Sequence, residues 1–333
     1  MAAAMNHWER IQAALQGAEV DQTPVSLWRH WPGDDLTAAG LAKAMIDWQR
    51  QYDFDFVKFM PTGMYGVHDW GAQTEYSPGY GGSRGLVKAG LNSAEEWPNL
   101  PQLDVTQGAY GQEIEALRLA ADELNRSVPI FQTIFSPSTT AVKLRGQAAL
   151  EDMRQHPELF KEGLEIITEV TIAFARASIR AGADGFFFAT QGASSHVMSE
   201  AEYQEFGVPY DVRILNAVRN EGKLNLIHVH GEDVYFDIAA RYPVDMINWH
   251  DRTTFPNLKE AKQRFGGVLV GGIERLEIAE GPVDKVREQA CDAIAQTGGR
   301  RLVVAPSCVI PTNTPDANIR AVIEEVRTAS VAK

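Results

Sequence analysis

Cysteine is scarce in this chain. The two present among 333 residues, Cys291 and Cys308, lie in unrelated settings, so no disulfide framework is expected and a reducing compartment is the natural reading. Long apolar runs are missing too. No stretch approaches the ~18 residues that span a bilayer, and the first residues, MAAAMNHWERIQAAL, lack the basic start and continuous apolar run of a secretory signal. The expected location is the cytoplasm, with no membrane partner. Positive charge is in deficit: 31 Lys and Arg against 44 Asp and Glu give a net −13. That balance argues against nucleic acid as a partner and leaves room for an anionic small molecule held by a local group of cations. Repeats, low-complexity tracts and interdomain linkers are also lacking.

What is present is alternation. Short β-branched or apolar runs occur at 24–28, 54–59, 128–135, 185–189, 224–228, 245–249, 267–271 and 302–305, with amphipathic stretches such as 157–181, 200–220 and 284–296 between them. Strand, helix, strand repeated eight times is the pattern of an α/β protein built as a single (β/α)8 TIM barrel, one domain over 1–333. Ser199 and Glu202 have capping-box spacing, and Thr314-Pro315 is expected to open a last helix through Val326. An inserted region of about 61–110 breaks the rhythm. Its Gly, Tyr and Ser content predicts a short hairpin and loop over the barrel mouth.

Such barrels carry their sites on the loops after each strand's C-terminal end. Six of the eight histidines fall there: His30, His68, His196, His228, His230 and His250. Glu274 and Arg275 follow the seventh run, and Cys308 follows the eighth. The pair His228-Val-His230 is the sharpest feature, because residues two apart on a strand share a face, which puts both imidazoles inside the barrel near its top. With Cys308 they make a candidate zinc site with three protein ligands and an open fourth position. The alternative is one hydrogen-bonded core histidine and one substrate contact.

Around this set, Arg29, Lys58, Ser138, Gln191 and Arg275 are candidate substrate-binding residues, and His30, His250 and Glu274 are candidate catalytic groups. Ser136 to Thr140 can instead cap the following helix, with Lys143 and Arg145 just beyond. Cys291, Tyr203, Phe206 and Tyr210 have helical spacing and are expected to pack.

The segments Ala-Gly-Ala-Asp184, Ser199-Glu-Ala-Glu-Tyr-Gln-Glu-Phe-Gly-Val-Pro-Tyr210, His228-Val-His-Gly231, Val270-Gly-Gly-Ile-Glu274 and Cys308-Val-Ile-Pro-Thr-Asn-Thr-Pro-Asp-Ala-Asn-Ile319 resemble, in order, the uroporphyrinogen decarboxylase superfamily. The resemblance implies one (β/α)8 barrel that is either a cofactor-free decarboxylase or a zinc-dependent methyltransferase serving corrinoid proteins and thiols. Four positions depart from the decarboxylases: Arg29 stands alone in the first loop, Thr62 replaces their aspartate, Ser138 their tyrosine, and Cys308 the histidine of their last turn. The methyltransferases are more similar, with His-x-Cys where this chain has His228-Val-His230 and a cysteine where it has Cys308. The implied function is methyl, or other one-carbon, transfer to a thiol or oxygen nucleophile with zinc as cofactor and a corrinoid reached through a partner protein. Decarboxylation of a tetrapyrrole is the alternative, and a barrel that binds a corrinoid or tetrapyrrole without catalysis is a third reading.

Overall fold

The computed structural model describes residues 4–329. Its strands are β1 (Val57–Phe59), β2 (Gln73–Tyr76), β3 (Arg84–Lys88), β4 (Ile130–Phe135), β5 (Gly185–Thr190), β6 (Leu224–Val229), β7 (Met246–Trp249), β8 (Val268–Ile273) and β9 (Leu302–Pro306). All but β2 and β3 form one parallel sheet in the order β1-β4-β5-β6-β7-β8-β9. Helices cover its outer face, so the strands are buried on both sides and read as continuous apolar runs; β5, Gly-Phe-Phe-Phe-Ala-Thr, is buried throughout.

The first expected strand forms no regular ladder. Residues 24–29 instead fill the gap between β9 and β1: Ser26 N donates to Val304 O, Val304 N to Pro24 O, and Asp55 N to Val25 O. Pro24 brings no N–H of its own. The buried Asp55 carboxylate takes the Val25 N–H at 2.9 Å and the Arg10 guanidinium at 3.0 Å, so side chains make the bonds that a longer strand would make with its backbone. The sheet is closed into a barrel at this seam.

The inserted region contains the expected hairpin, β2 against β3, antiparallel. It lies over the mouth: the Thr312 N–H donates to Tyr80 O at 2.7 Å, and Gly33 N donates to the Tyr76 hydroxyl at 2.8 Å. The hairpin tip must be glycine. Gly82 has φ +67°, and a Cβ there would come within 2.9 Å of the His30 Cβ.

Helix expectations hold with adjustments. The stretch 157–181 is one helix, Pro157–Ala181, while 200–220 divides at Gly207 into Glu200–Phe206 and Val208–Asn220, the first closed by the Ser199/Glu202 capping box. The last helix is Asp316–Ala329. Thr314 does not cap it with its hydroxyl, which donates to Pro311 O. Cys291 is exposed rather than packed, its Sγ 3.0 Å from Glu325. Among the described residues no helix is long and apolar enough to cross a membrane. The buried apolar side chains form one contiguous cluster inside and around the barrel.

Candidate metal centre

Strand register builds the centre. His228, the penultimate residue of β6, points inward, His230 follows two residues later on the same face, and β7 lies alongside with Asn248 directly opposite His228. His250 continues β7 on the side of Asn248, and the turn after β9 brings in Cys308. Ligand atoms of His228, His230, His250 and Cys308 all lie within 4.8 Å of one another. The Cys308 Sγ is 3.6 Å from both His228 Nε2 and His230 Nδ1.

Asn248 fixes one ligand's protonation. Its amide N–H groups donate to Val270 O at 2.7 Å and Pro306 O at 3.1 Å, which leaves Oδ1 facing His228 Nδ1 at 2.5 Å. Nδ1 therefore carries the proton, and Nε2 presents its lone pair to the cluster. The His228 ring is further held by stacking on Phe187 at 5.4 Å. Burial alone pushes the Cys308 thiol up; the surrounding imidazoles of His228, His230 and His250 outweigh it and hold the thiol well below its ordinary range. Burial also lowers the His228 pKa, which favours the neutral, ligating imidazole. The His250 Nε2 is buried with no hydrogen-bond partner. Two imidazoles, His228 and His230, and the Cys308 thiolate on converging atoms, with His228 oriented from behind and His250 beside them, make a three-donor set that fits zinc with a fourth position open.

The cluster forms one wall of a cavity of about 550 Å³ at the barrel mouth, a size suited to a small ligand. Four cations line it, Lys58, Arg84, Lys143 and Arg275, against one carboxylate, the exposed Glu280. Of the residues singled out in the sequence, His30, Lys58, Gln191, His228, His230, Arg275 and Cys308 line this cavity. His250 belongs to the ligand cluster, in contact with it rather than across from it.

Three candidates point elsewhere. Arg29 stacks on Trp31 at 4.4 Å and donates to Thr312 O at 2.6 Å, outside the cavity. Glu274 accepts from the backbone N–H groups of Leu276 and Glu277 at 2.8 and 2.7 Å, so its carboxylate caps a short helix. Ser138 is buried beside Ser136 at 3.0 Å and faces a side recess of about 360 Å³, which meets the main cavity at Gln191 and His230. Arg145 and Arg252 are tied up by Asp152 and Asp292.

Sequence reasoning missed Asn248 and Arg84. Asn248-Trp-His250 repeats the alternation of His228-Val-His230, a readable signal; Arg84 reaches the cavity only because the hairpin folds over it.

His30 differs from the cations in charge. Burial, and then the Lys58 ammonium, pull the His30 pKa down to about 3, so His30 is neutral at physiological pH. Burial also lowers Lys58 to about 7 and Lys143 to about 8.

Comparison with known proteins identifies the fold and the family. The methylcobamide:CoM methyltransferase MtbA of Methanosarcina acetivorans is 20% identical over 241 residues, covering 72% of this chain and 70% of that protein. The uroporphyrinogen decarboxylase of Coxiella burnetii is 26% identical over 261 residues, covering 74% and 70%. A solved methyltransferase from Methanosarcina mazei superposes with a TM-score of 0.86 at 21% identity, over 98% of this chain and 99% of that one, which shows a shared fold. A sequence profile of the family described as uroporphyrinogen decarboxylase (URO-D) matches residues 6–329, nearly the whole chain, and the chain belongs to that family.

Proposed function

We propose that the chain is a methyltransferase whose His228, His230 and Cys308 hold a zinc ion, whose acceptor is a small thiol, and whose methyl donor is a corrinoid carried by a partner protein. The convergent His/Cys cluster backed by Asn248 is the observation that carries this reading. Zinc bound there supplies the Lewis acidity that lowers the acceptor's pKa and keeps it anionic at neutral pH. An oxygen nucleophile is a weaker fit, because its ordinary pKa lies further from neutrality.

The chain's own groups divide the remaining work. Asn248 keeps His228 in the tautomer that offers Nε2. His250, with Nε2 buried and unpartnered beside the cluster, accepts the proton that the incoming thiol gives up. Lys58, Lys143 and Arg275 attract an anionic acceptor, while the hairpin carrying Tyr80 and Arg84 narrows the mouth and limits water. A cavity of about 550 Å³ suits a small acceptor.

Tetrapyrrole decarboxylation is less well supported, although the decarboxylase relatives are comparably similar. Each carboxylate stripped of water needs a cation, and four cations fall short of an octacarboxylate. Among the described residues no buried acid lines the wall to meet the pyrrole N–H groups.

The test is turnover with methylcobalamin and a small thiol, followed by loss of the methylcobalamin spectrum and formation of the thioether. Wild type should transfer methyl, and Cys308→Ser and His228→Ala should each lose roughly 100-fold or more. Decarboxylation of uroporphyrinogen at ~1 per second or faster, without methyl transfer, overturns the reading.

A further inference from the structure

A fully buried carboxyl lies outside the metal centre with one oxygen left over. Asp211, on the helix Val208–Asn220, accepts the Tyr203 hydroxyl at 2.7 Å and the Tyr242 hydroxyl at 3.2 Å, both on Oδ2. Its Oδ1 is buried with no hydrogen-bond partner, which is costly in an interior unless a donor can reach it. Burial raises the Asp211 carboxyl to about 7, and the hydroxyls of Ser136, Tyr203 and Tyr242 resist that rise; no cation and no second carboxylate acts on it.

Ser136 is the group that connects this acid to the barrel mouth. It follows β4 and stands at the N-cap of the helix Pro137–Arg145, yet its hydroxyl makes no cap bond there, where a serine ordinarily accepts from the first turn. It turns instead to the Ser138 Oγ at 3.0 Å, and either hydroxyl can donate. Ser138 lines the recess of about 360 Å³ that meets the main cavity at Gln191 and His230, a space with room for water. A Cβ at Gly192 would lie 3.2 Å from the Ser138 Oγ, so glycine there leaves the recess face of this hydroxyl uncovered.

A hydroxyl has one hydrogen to donate, so Ser136 serves Ser138 or Asp211 and not both. While it donates to Ser138, Oδ1 stays open; when it turns to Oδ1, Ser138 donates to it in turn. Tyr203 and Tyr242, 2.9 Å apart, are held far above their ordinary range by burial, so they keep their protons and only fix Oδ2 in place.

We infer that Ser138, Ser136 and Asp211 form a proton relay, which passes a proton from the recess beside the metal centre along the two hydroxyls to Asp211 Oδ1. At each hydroxyl one O–H bond forms and one breaks, so the sum is one proton lost by an acid in the recess and one O–H bond gained on Oδ1. The reverse passage returns it. The relay stands on this hydrogen-bond geometry. Its use, removing the proton that an acceptor thiol releases and that His250 first receives, rests on the methyltransferase reading.

Infrared spectroscopy of the purified, zinc-loaded protein follows the relay through the C=O band of protonated Asp211. The band is assigned by its loss in Asp211→Asn, or by its shift in Tyr203→Phe should the asparagine variant fail to fold. Glu113, a second fully buried acid that burial holds well above its ordinary range and whose Oε2 is unpartnered, is the control. On mixing into D2O, Asp211 should exchange its proton roughly tenfold or more faster than Glu113, because a buried group without a relay waits for local opening. Ser136→Ala and Ser138→Ala should each slow Asp211 by about that factor, and Ser136→Thr, which keeps the hydroxyl, should restore the rate. In turnover with methylcobalamin and a small thiol, Ser136→Ala should lower kcat at unchanged KM and make kcat rise with buffer concentration, since a mobile acceptor then substitutes for the relay. Fast exchange in a protein that transfers no methyl supports the relay and sinks only the methyltransferase reading. A kcat untouched by Ser136→Ala overturns the relay's use in transfer. Exchange at Asp211 no faster than at Glu113, or unchanged in both alanine variants, overturns the relay itself.

Discussion

His228 shows how much one residue's chemistry depends on another that makes no claim in the sequence. The His-x-His alternation and the cysteine after the last strand were legible because a strand's period of two fixes which side chains share a face. Asn248 was not, since its role arises from register: β7 sits beside β6 so that Asn248 faces His228, and two backbone carbonyls dictate which end of the amide points at the ring. Glu274 was misread for the opposite reason. Its place after β8 is a mouth position, yet two free N–H groups at a helix start claim its carboxylate. Asn248→Ala should leave the fold intact, release the His228 tautomer and lower zinc affinity ~10- to 100-fold. A competition titration against a chromophoric chelator measures this, and an unchanged affinity removes Asn248 from the centre.

Elements were read well where burial was two-sided and poorly where side chains substitute for backbone. The runs that became β4 to β9 are continuous apolar segments, as parallel strands under helices must be. The first run had the same look, but its bonds pass through Pro24, Asp55 and the seam with β9, so no regular ladder forms. The hairpin was expected from its composition, whereas its contacts with Thr312, Gly33 and His30 join segments far apart in sequence and could not be read from it. One helix start also carries a buried carboxyl group. Asp211, on Val208–Asn220, accepts the hydroxyls of Tyr203 at 2.7 Å and Tyr242 at 3.2 Å without a cation, tying three connecting segments together. Burial, resisted by these hydroxyls, raises it from 3.8 to about 7. The folded state therefore holds a proton that the unfolded chain has lost between those values, and stability falls as pH rises from about 4 to about 7. Asp211→Asn should flatten that part of the profile, as read from urea midpoints across the range. An identical slope in the variant shows that Asp211 does not titrate there.

Across the whole molecule, charge is sorted against its average. A chain of net −13 gathers four cations around a cavity whose one carboxylate is exposed, and ends that cavity in three imidazoles and a thiolate. The barrel, its mouth and most of the centre were foreseeable from motif order and periodicity. The separation of a cationic wall from a ligand cluster was not, because it depends on which of many rim cations turn inward: Arg29, Arg145 and Arg252 turn away, and Lys143 and Arg84 turn in. The most direct measurement is metal content followed by cobalt substitution. One metal per chain should be retained by wild type and lost in Cys308→Ser, and the cobalt form should show a thiolate-to-metal charge-transfer band that strengthens when a small thiol is added. A protein that takes up no metal from zinc-supplemented buffer, or a Cys308→Ser variant that binds it as tightly as wild type, contradicts a zinc-thiolate centre.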